Sequence, residues 1–248
     1  MAVITISKAS MGKAVADGIR REFCYGYFDS DEVFLAASKE FGVPEAKIRS
    51  ALQNAPTLWG MSSATRQKLI SCYQSTLAKF LLRDNVVYYG PAGHLLIQGV
   101  SHALKVLLWP GDNTTCNIIS SISKHDVINE ESLYDLVIDT GKTSVEEAVE
   151  IISAHALSTR YRTTTFSINC VKNIALSSKV KAALIDVDHD VNVRASGGNV
   201  YIHVRAADRK RQKLTAAISN MVKSIRDVVN VEVTVTEDIF QKYAGTYR

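Results

Sequence analysis

Val3-Ile4-Thr5-Ile6-Ser7-Lys8-Ala9-Ser10-Met11-Gly12-Lys13 decides the fold. Val3 to Ile6 is a short apolar run rich in β-branched residues and stopped by Ser7, so it reads as a buried strand. Ser7 to Lys13 is a turn of small and polar residues. From Ala14 to Phe23 the composition is helical, with Val15, Ile19 and Phe23 recurring every fourth residue. Strand, turn and helix open an α/β unit. The turn itself has two readings. It is a structural corner, or it is an anion cradle. In the second reading, backbone N–H groups and the helix start face phosphate oxygens, Lys13 adds a point charge, and Gly12 lets the backbone approach closely. The full phosphate-loop pattern wants Gly where Ser7 stands, and a hydroxyl residue for Mg²⁺ where Ala14 stands.

Outward from this turn, Asp31 to Phe41 reads as a helix with Asp31 as N-cap, closed by Gly42 and Pro44. Pro44 to Leu52 is a third helical segment, and Ser62 to Arg83 a long fourth. Val86 to Tyr89, Leu104 to Trp109 and Leu133 to Ile138 read as further strands. They end at Gly90-Pro91-Ala92-Gly93, Pro110-Gly111 and Asp139-Thr140-Gly141. Ser144 to Leu157 is a helix, with Ser144 and Glu147 forming a capping box. Strands alternating with helices imply a parallel sheet covered on both faces. Ligands of such sheets lie beyond the carboxyl ends of the strands, here Ser7–Lys13, Gly90–His94, Trp109–Asp112 and Asp139–Lys142.

Residues 158–170 are polar and threonine-rich, and read as a linker. Beyond it the grammar changes. Val171 to Leu184 is helical, Val191 to Ala195 and Val200 to Arg205 alternate around a Ser196-Gly197-Gly198-Asn199 hairpin turn, Asp208 to Ile225 is helical, and Val229 to Val235 alternates again. That order, αββαβ, is a small α+β module. The expected organisation is therefore 1–158, a linker at 159–170, a module at 171–236 and a tail at 237–248.

Of the 248 residues, 46% are hydrophobic and 22% charged, enough for a packed core. No stretch approaches the ~18 uncharged apolar residues of a membrane span. The opening residues lack a basic n-region, and no signal peptide is expected. Cys24, Cys72, Cys116 and Cys170 form no C-x-x-C pair, which suggests free thiols in a reducing, cytoplasmic setting. The six histidines have no zinc spacing, and no metal site is expected. The first 160 residues carry 15 Lys and Arg against 17 Asp and Glu; the remainder carries 14 against 8. A net −2 thus adjoins a net +6, giving the chain's +4 and suggesting two units with different partners.

Four in-order segments carry a resemblance. They are Val3 to Lys8 with Gly12-Lys13; Tyr27-Phe28-Asp29-Ser30-Asp31-Glu32-Val33; Asn85 to His94; and Tyr134 to Gly141 with the Ser144 helix. On these, residues 1–157 resemble the cytidylate kinase-like branch of the P-loop nucleoside monophosphate kinases. The resemblance implies ATP and Mg²⁺. It implies that Ser7, Lys8, Ala9, Ser10, Met11, Gly12, Lys13 and Ala14 bind the triphosphate, with Lys13 and Asp29 catalytic. Gly141 and Lys142 would lie near the donor base. Asp29, Gly90, Ala92, Gly93 and His94 would line the acceptor site.

The chain also departs from this family. Pro91 stands in a turn that usually carries arginine. Residues 110–132 hold Lys124 and His125 but no arginine, which reads as a truncated lid. Losing one charge-stabilising donor costs ~2.7–4 kcal/mol of transition-state stabilisation. Either Lys8, Arg66, Lys68 or a second subunit substitutes, or activity is lost. Bland readings stand beside the sharp ones: Asp29 as a helix cap, His94 bonded to backbone, Asp139 as a turn former, and Trp59 and Trp109 as packing residues.

Residues 171–236 resemble a BON module, on Val180 to Leu184, the Gly197-Gly198 hairpin with Val200 to Val204, and Val228 to Val233. The resemblance implies binding to phospholipid or to a protein. Arg209-Lys210-Arg211-Gln212-Lys213, with Arg205, is the strongest basic cluster, either a solvated helix face or a contact for an anionic partner such as phospholipid or acidic protein. No aromatic residue interleaves it, which disfavours sequence-specific RNA binding. Asp188-His189-Asp190 reads as a polar turn. The expected function is weak ATP-dependent phosphoryl transfer to a nucleoside monophosphate or similar small acceptor. The alternative is an inactive nucleotide-binding or scaffolding protein whose basic module does the binding. Oligomeric state is not legible.

Overall fold

The computed structural model describes residues 2–7, 11–53, 61–83, 85–109, 133–206 and 211–237. Lys8, Ala9 and Ser10 of the first turn, Trp59, Cys116, the expected lid at 110–132, Arg209 and Lys210 lie outside the described residues, as does the chain after Glu237. The first strand, β1 (Val3–Ile6), is buried along its whole length, as its uniform apolar character requires. Around it lie β2 (Gly26–Asp29), β3 (Val86–Tyr89), β4 (Ala103–Trp109) and β5 (Leu136–Asp139). All pair in parallel, in the order β2-β3-β1-β4-β5.

Helices cover both faces. On one, α1 (Gly12–Phe23) and α6 (Val145–Ala156) pack Val15, Ile19, Val149 and Ile152 against Ile4, Ile6, Val106 and Leu108. On the other, α2 (Ser30–Phe41), α3 (Glu45–Gln53) and α4 (Ser63–Leu81) bury Phe34, Ile48, Tyr73 and Leu77 with Phe28 and Tyr88. A single turn, α5 (Gly93–Leu96), follows β3. The fold is the expected α/β sheet flanked by helices.

Three local differences from the sequence reading have clear causes. Gly26–Asp29 pairs with β3 although glycine and aspartate disfavour strands, because β2 is a short edge strand recruited by its neighbour. The α2 cap is Asp29, whose Oδ1 accepts from the N–H groups of Asp31 and Glu32 at 3.0 and 3.1 Å. Asp31, expected as the cap, sits inside the first turn. The stretch read as a linker contains a 3-10 turn, Thr159–Tyr161, with Tyr161 buried against the α1/α6 layer, and the start of α7 (Thr165–Leu184).

The remaining elements are β6 (Asn192–Ser196), β7 (Asn199–Ala206), α8 (Arg211–Lys223) and β8 (Asn230–Glu237). β6 and β7 form an antiparallel hairpin, and β8 adds in parallel to β7. The hairpin turns at Gly197 (φ 57°) and Gly198 (φ 86°), the positive-φ pair a two-residue turn demands. Val200, Ile202 and Val204 pack against Val180, Leu184, Ile218 and Val222. This is the small α+β unit expected from the second half. No described helix is long and apolar enough to cross a membrane.

Candidate functional site

Because the five strands are parallel, Ser7, Asp29, Gly90 and the Asp139–Lys142 turn all emerge at one edge of the sheet. β1 leads through α1 to β2, on the far side of β3, whereas β3 leads back across β1 to β4. The connections therefore diverge between β1 and β3, the position at which sheets of this kind form a ligand crevice. Its walls are the turn after β1 and the turn after β3.

At the first wall, the Ser7 N–H donates to the Val106 carbonyl at 3.1 Å, tying the strand end to β4. The Ser7 Oγ is buried and has no hydrogen-bond partner among the described residues. Helix α1 then starts without a side-chain cap and without an acidic residue in its first turn. By contrast α2, α4, α6 and α7 are capped by Asp29, Ser62, Ser144 and Thr164. The first turn of α1 instead carries Lys13, exposed like Ala14. A lysine at the positive end of a helix is electrostatically unfavourable for the bare helix and favours an anion there.

Gly12 is buried for a reason absent from the sequence pattern. A Cβ at this position would lie 2.3 Å from Cε2 of Tyr89. The residue is glycine because a tyrosine ring from β3 lies against the helix start. Tyr27 packs into the same layer; burial, then Asp29, pushes its phenol up to about 12, and its buried Oη has no partner among the described residues. Burial and then Asp29 also raise the Tyr89 phenol. The structure thus gathers Gly12, Tyr27, Tyr89 and Asp29. The two tyrosines were missed because aromatic residues in strands read as core. With Oδ1 of Asp29 committed to the α2 cap, a ligand contact from this residue falls to Oδ2.

The second wall is pinned from below. The Tyr88 hydroxyl donates to the Pro91 carbonyl at 3.0 Å and accepts from Tyr73 at 2.6 Å, so both phenols are satisfied in the core. A Cβ on Gly90 would lie 2.3 Å from the Tyr88 hydroxyl, and Ala92 adopts a left-handed backbone (φ 61°). The chain then turns back under the sheet. His94 is 5% exposed, and its ring lies 4.2 Å from that of Tyr134, which precedes β5. Burial, then Lys105, holds its pKa down at about 4, and Nε2 has no partner among the described residues. His94 is therefore a neutral imidazole buried against Tyr134.

On the other flank, Gly141 donates its N–H to Asp139 Oδ1 at 2.9 Å, and Lys142 pairs with Asp139 at 3.1 Å. This turn is tied to β4 by Thr140 N–H on the Trp109 carbonyl at 2.8 Å. It lies two strand spacings, ~10 Å, from the β1 turn. Trp109 is partly exposed at this edge. Of the cations suggested as substitutes, Arg66 is buried and its Nε donates to the Ala51 carbonyl at 2.8 Å, Lys68 pairs with Asp186, and Lys8 lies outside the described residues.

Residues 3–110 match the model of the cytidylate kinase-like family. That span runs from β1 through β4 and contains both walls of the crevice. No curated protein matches. Similar solved structures include an uncharacterized protein from Eubacterium ventriosum ATCC 27560, with 11% identity, covering 62% of this chain and 97% of that one at a TM-score of 0.39. Shikimate kinase from Acinetobacter baumannii in complex with shikimate has 10% identity, covering 65% and 96% at a TM-score of 0.39. Shikimate kinase from Bacteroides thetaiotaomicron has 12% identity, covering 62% and 97% at a TM-score of 0.38. Over residues 3–110 the chain is thus similar to the cytidylate kinase-like family, within an α/β fold whose parallel sheet is flanked by helices.

Proposed function

We propose that the crevice binds the triphosphate of ATP at the β1–α1 turn and supports phosphoryl transfer to a nucleoside monophosphate, cytidylate-like, or to a similar small acceptor. The observation that carries this reading is the uncapped, lysine-bearing start of α1 at the point where the sheet's connections diverge. Ser7 to Ala14 would hold the phosphates and Lys13 would neutralise them. Asp29 and the Gly90–Gly93 turn would face the acceptor, and Gly141 and Lys142 the donor base. Catalysis would rest on positioning and on preformed positive charge.

Mg²⁺ is implied by the same resemblance, but Ala14 has no side-chain oxygen to offer it. Among the described residues no three His, Cys, Asp or Glu gather in one place.

A second reading is favoured by specific observations. Pro91 occupies the acceptor turn, Arg66 is spent on packing, and His94 is neutral. These support a protein that binds nucleotide but transfers phosphate slowly or not at all, with the basic, BON-like C-terminal unit engaging an anionic partner. Calorimetric titration with ATP and with CMP, with and without Mg²⁺, tests both readings. Lys13→Ala is expected to weaken ATP binding at least tenfold, about 1.4 kcal/mol. Absence of heat from every nucleotide in the wild type would reject the phosphate cradle. Binding without turnover in a coupled phosphotransfer assay would select the second reading.

A further inference from the structure

Where α4, α7 and the β6–β7 hairpin meet, they enclose a cavity of about 590 Å³ to which no residue of the crevice contributes. Helical spacing turns one face of α7 toward it, with Lys172, Leu176 and Lys179 recurring at intervals of four and three. Lys79 and Leu82 come from the end of α4, and Arg226, Asp227 and Val229 from the segment before β8. That segment is fixed against the hairpin turn, since the Val229 N–H donates to the Gly198 carbonyl at 2.8 Å. The charges here do not cancel. Lys79 and Lys179 share one carboxylate, that of Glu40. Arg226 stands beside Asp227 at 3.9 Å. Lys172 has no acidic partner among the described residues. Four cations thus meet two carboxylates, a surplus of two positive charges. Asn173 adds a donor, because its Oδ1 accepts from the Gly197 N–H at 3.0 Å and only its NH₂ is left for a ligand. Beside these polar groups lies uncovered apolar surface, with Leu82 38% and Val229 80% exposed.

We propose that this junction cavity binds a small soluble organic phosphate, with the phosphate on Lys172 and the Asn173 amide and an apolar body over Leu82 and Val229. A phosphate dianion matches the surplus charge, and an ammonium group is a point-charge partner for it. The volume lies within the ~300–1,000 Å³ of small-molecule sites. A concave site between two helices and a hairpin admits a molecule, whereas the flat surface of a bilayer meets only its rim. No aromatic side chain lines the cavity, so a nucleic-acid strand would find no ring on which to stack a base. The ligand would touch α4, α7 and the C-terminal unit together. Binding at that junction stabilises the folded chain by mass action.

The test is calorimetric titration of the full chain with 1-naphthyl phosphate, beside inorganic phosphate and the neutral 1-naphthalenemethanol. The naphthyl phosphate is expected to bind saturably and more tightly than either half alone, and to raise the melting temperature. Lys172→Glu should weaken it about tenfold or more, since it removes a charged hydrogen-bond donor. Lys172 is exposed on its helix, so the variant should fold, which far-UV circular dichroism checks. Lys223→Glu makes the same change in net charge on exposed surface outside the cavity and should leave binding unchanged. Lys13→Ala, which disables the proposed triphosphate cradle, should leave it unchanged as well. Absence of saturable binding at low salt overturns the proposal, as does binding indifferent to Lys172→Glu or equally weakened by Lys223→Glu. Loss with Lys13→Ala would assign the ligand to the crevice and overturn it too. Inorganic phosphate binding as tightly as the naphthyl compound, or association with phosphatidylglycerol vesicles alone, would do the same.

Discussion

Gly12 and Tyr89 meet where the first helix begins, and their contact is the sharpest constraint at the candidate site. Elsewhere in a helix, alanine is better than glycine by about 1 kcal/mol. Here its methyl group would overlap the Tyr89 ring at 2.3 Å. Overpacking of this kind costs roughly 1–3 kcal/mol. Gly12→Ala should therefore destabilise the protein, and Gly12→Ala combined with Tyr89→Ala should recover part of the loss. Urea midpoints of the two singles and the double variant measure the coupling; strictly additive effects would show that the ring does not press on the helix start. The glycine was legible in the sequence as a conformational requirement. Its partner was not, because contact between positions 12 and 89 exists only once β1 and β3 pair.

At the scale of elements, α7 is shared between two cores. Its first half places Val171 and Ala175 in the cluster with Leu77 and Ala78 of α4, and its second half places Val180 and Leu184 under the β6–β7–β8 sheet. Ser75 Oγ donates to the Ala175 carbonyl at 2.8 Å across this junction. Lys68 on Asp186, and Lys179 on Glu40, add exposed ion pairs, each worth no more than about 1 kcal/mol. The junction therefore rests on packing. Ala175→Leu is expected to lose about 1–3 kcal/mol, because a helix–helix contact built on alanine has no room for a larger side chain. Differential scanning calorimetry should show the whole transition moving down; an unchanged melting temperature would mean that α7 can slide away from α4 without loss. The sequence places the helix start too late because Thr164 to Cys170 inverts the usual pattern, with Phe166 73% exposed and Ser167 buried, which hides helical periodicity at a helix start. The Thr164–Ser167 capping box marks that start in the structure.

At the scale of the molecule, one buried imidazole ties stability to pH. His94 has an ordinary pKa near 6.5 when unfolded and about 4 when folded. Its neutral form is what the fold accepts, so the unfolded chain binds the proton more readily. The resulting stability is complete above about pH 6.5 and is lost as pH falls toward 4. Between pH 7 and pH 5 the loss is about 2 kcal/mol. Urea melts at the two pH values should show it, and His94→Phe, which keeps a ring against Tyr134, should flatten the difference; an equal acid loss in that variant would place its origin elsewhere. What the sequence by itself determined was the class of each half. Period-2 and period-3.6 patterns and the turn residues are local, and they specified an α/β unit, an αββαβ unit and the loops that end at the sheet edge. Only the tertiary structure decided which side chains share a surface. It buried His94 against Tyr134 and committed Asp29 to a cap. It also set Tyr89 against Gly12, since strand pairing and burial join residues whose separation along the chain carries no trace of their proximity.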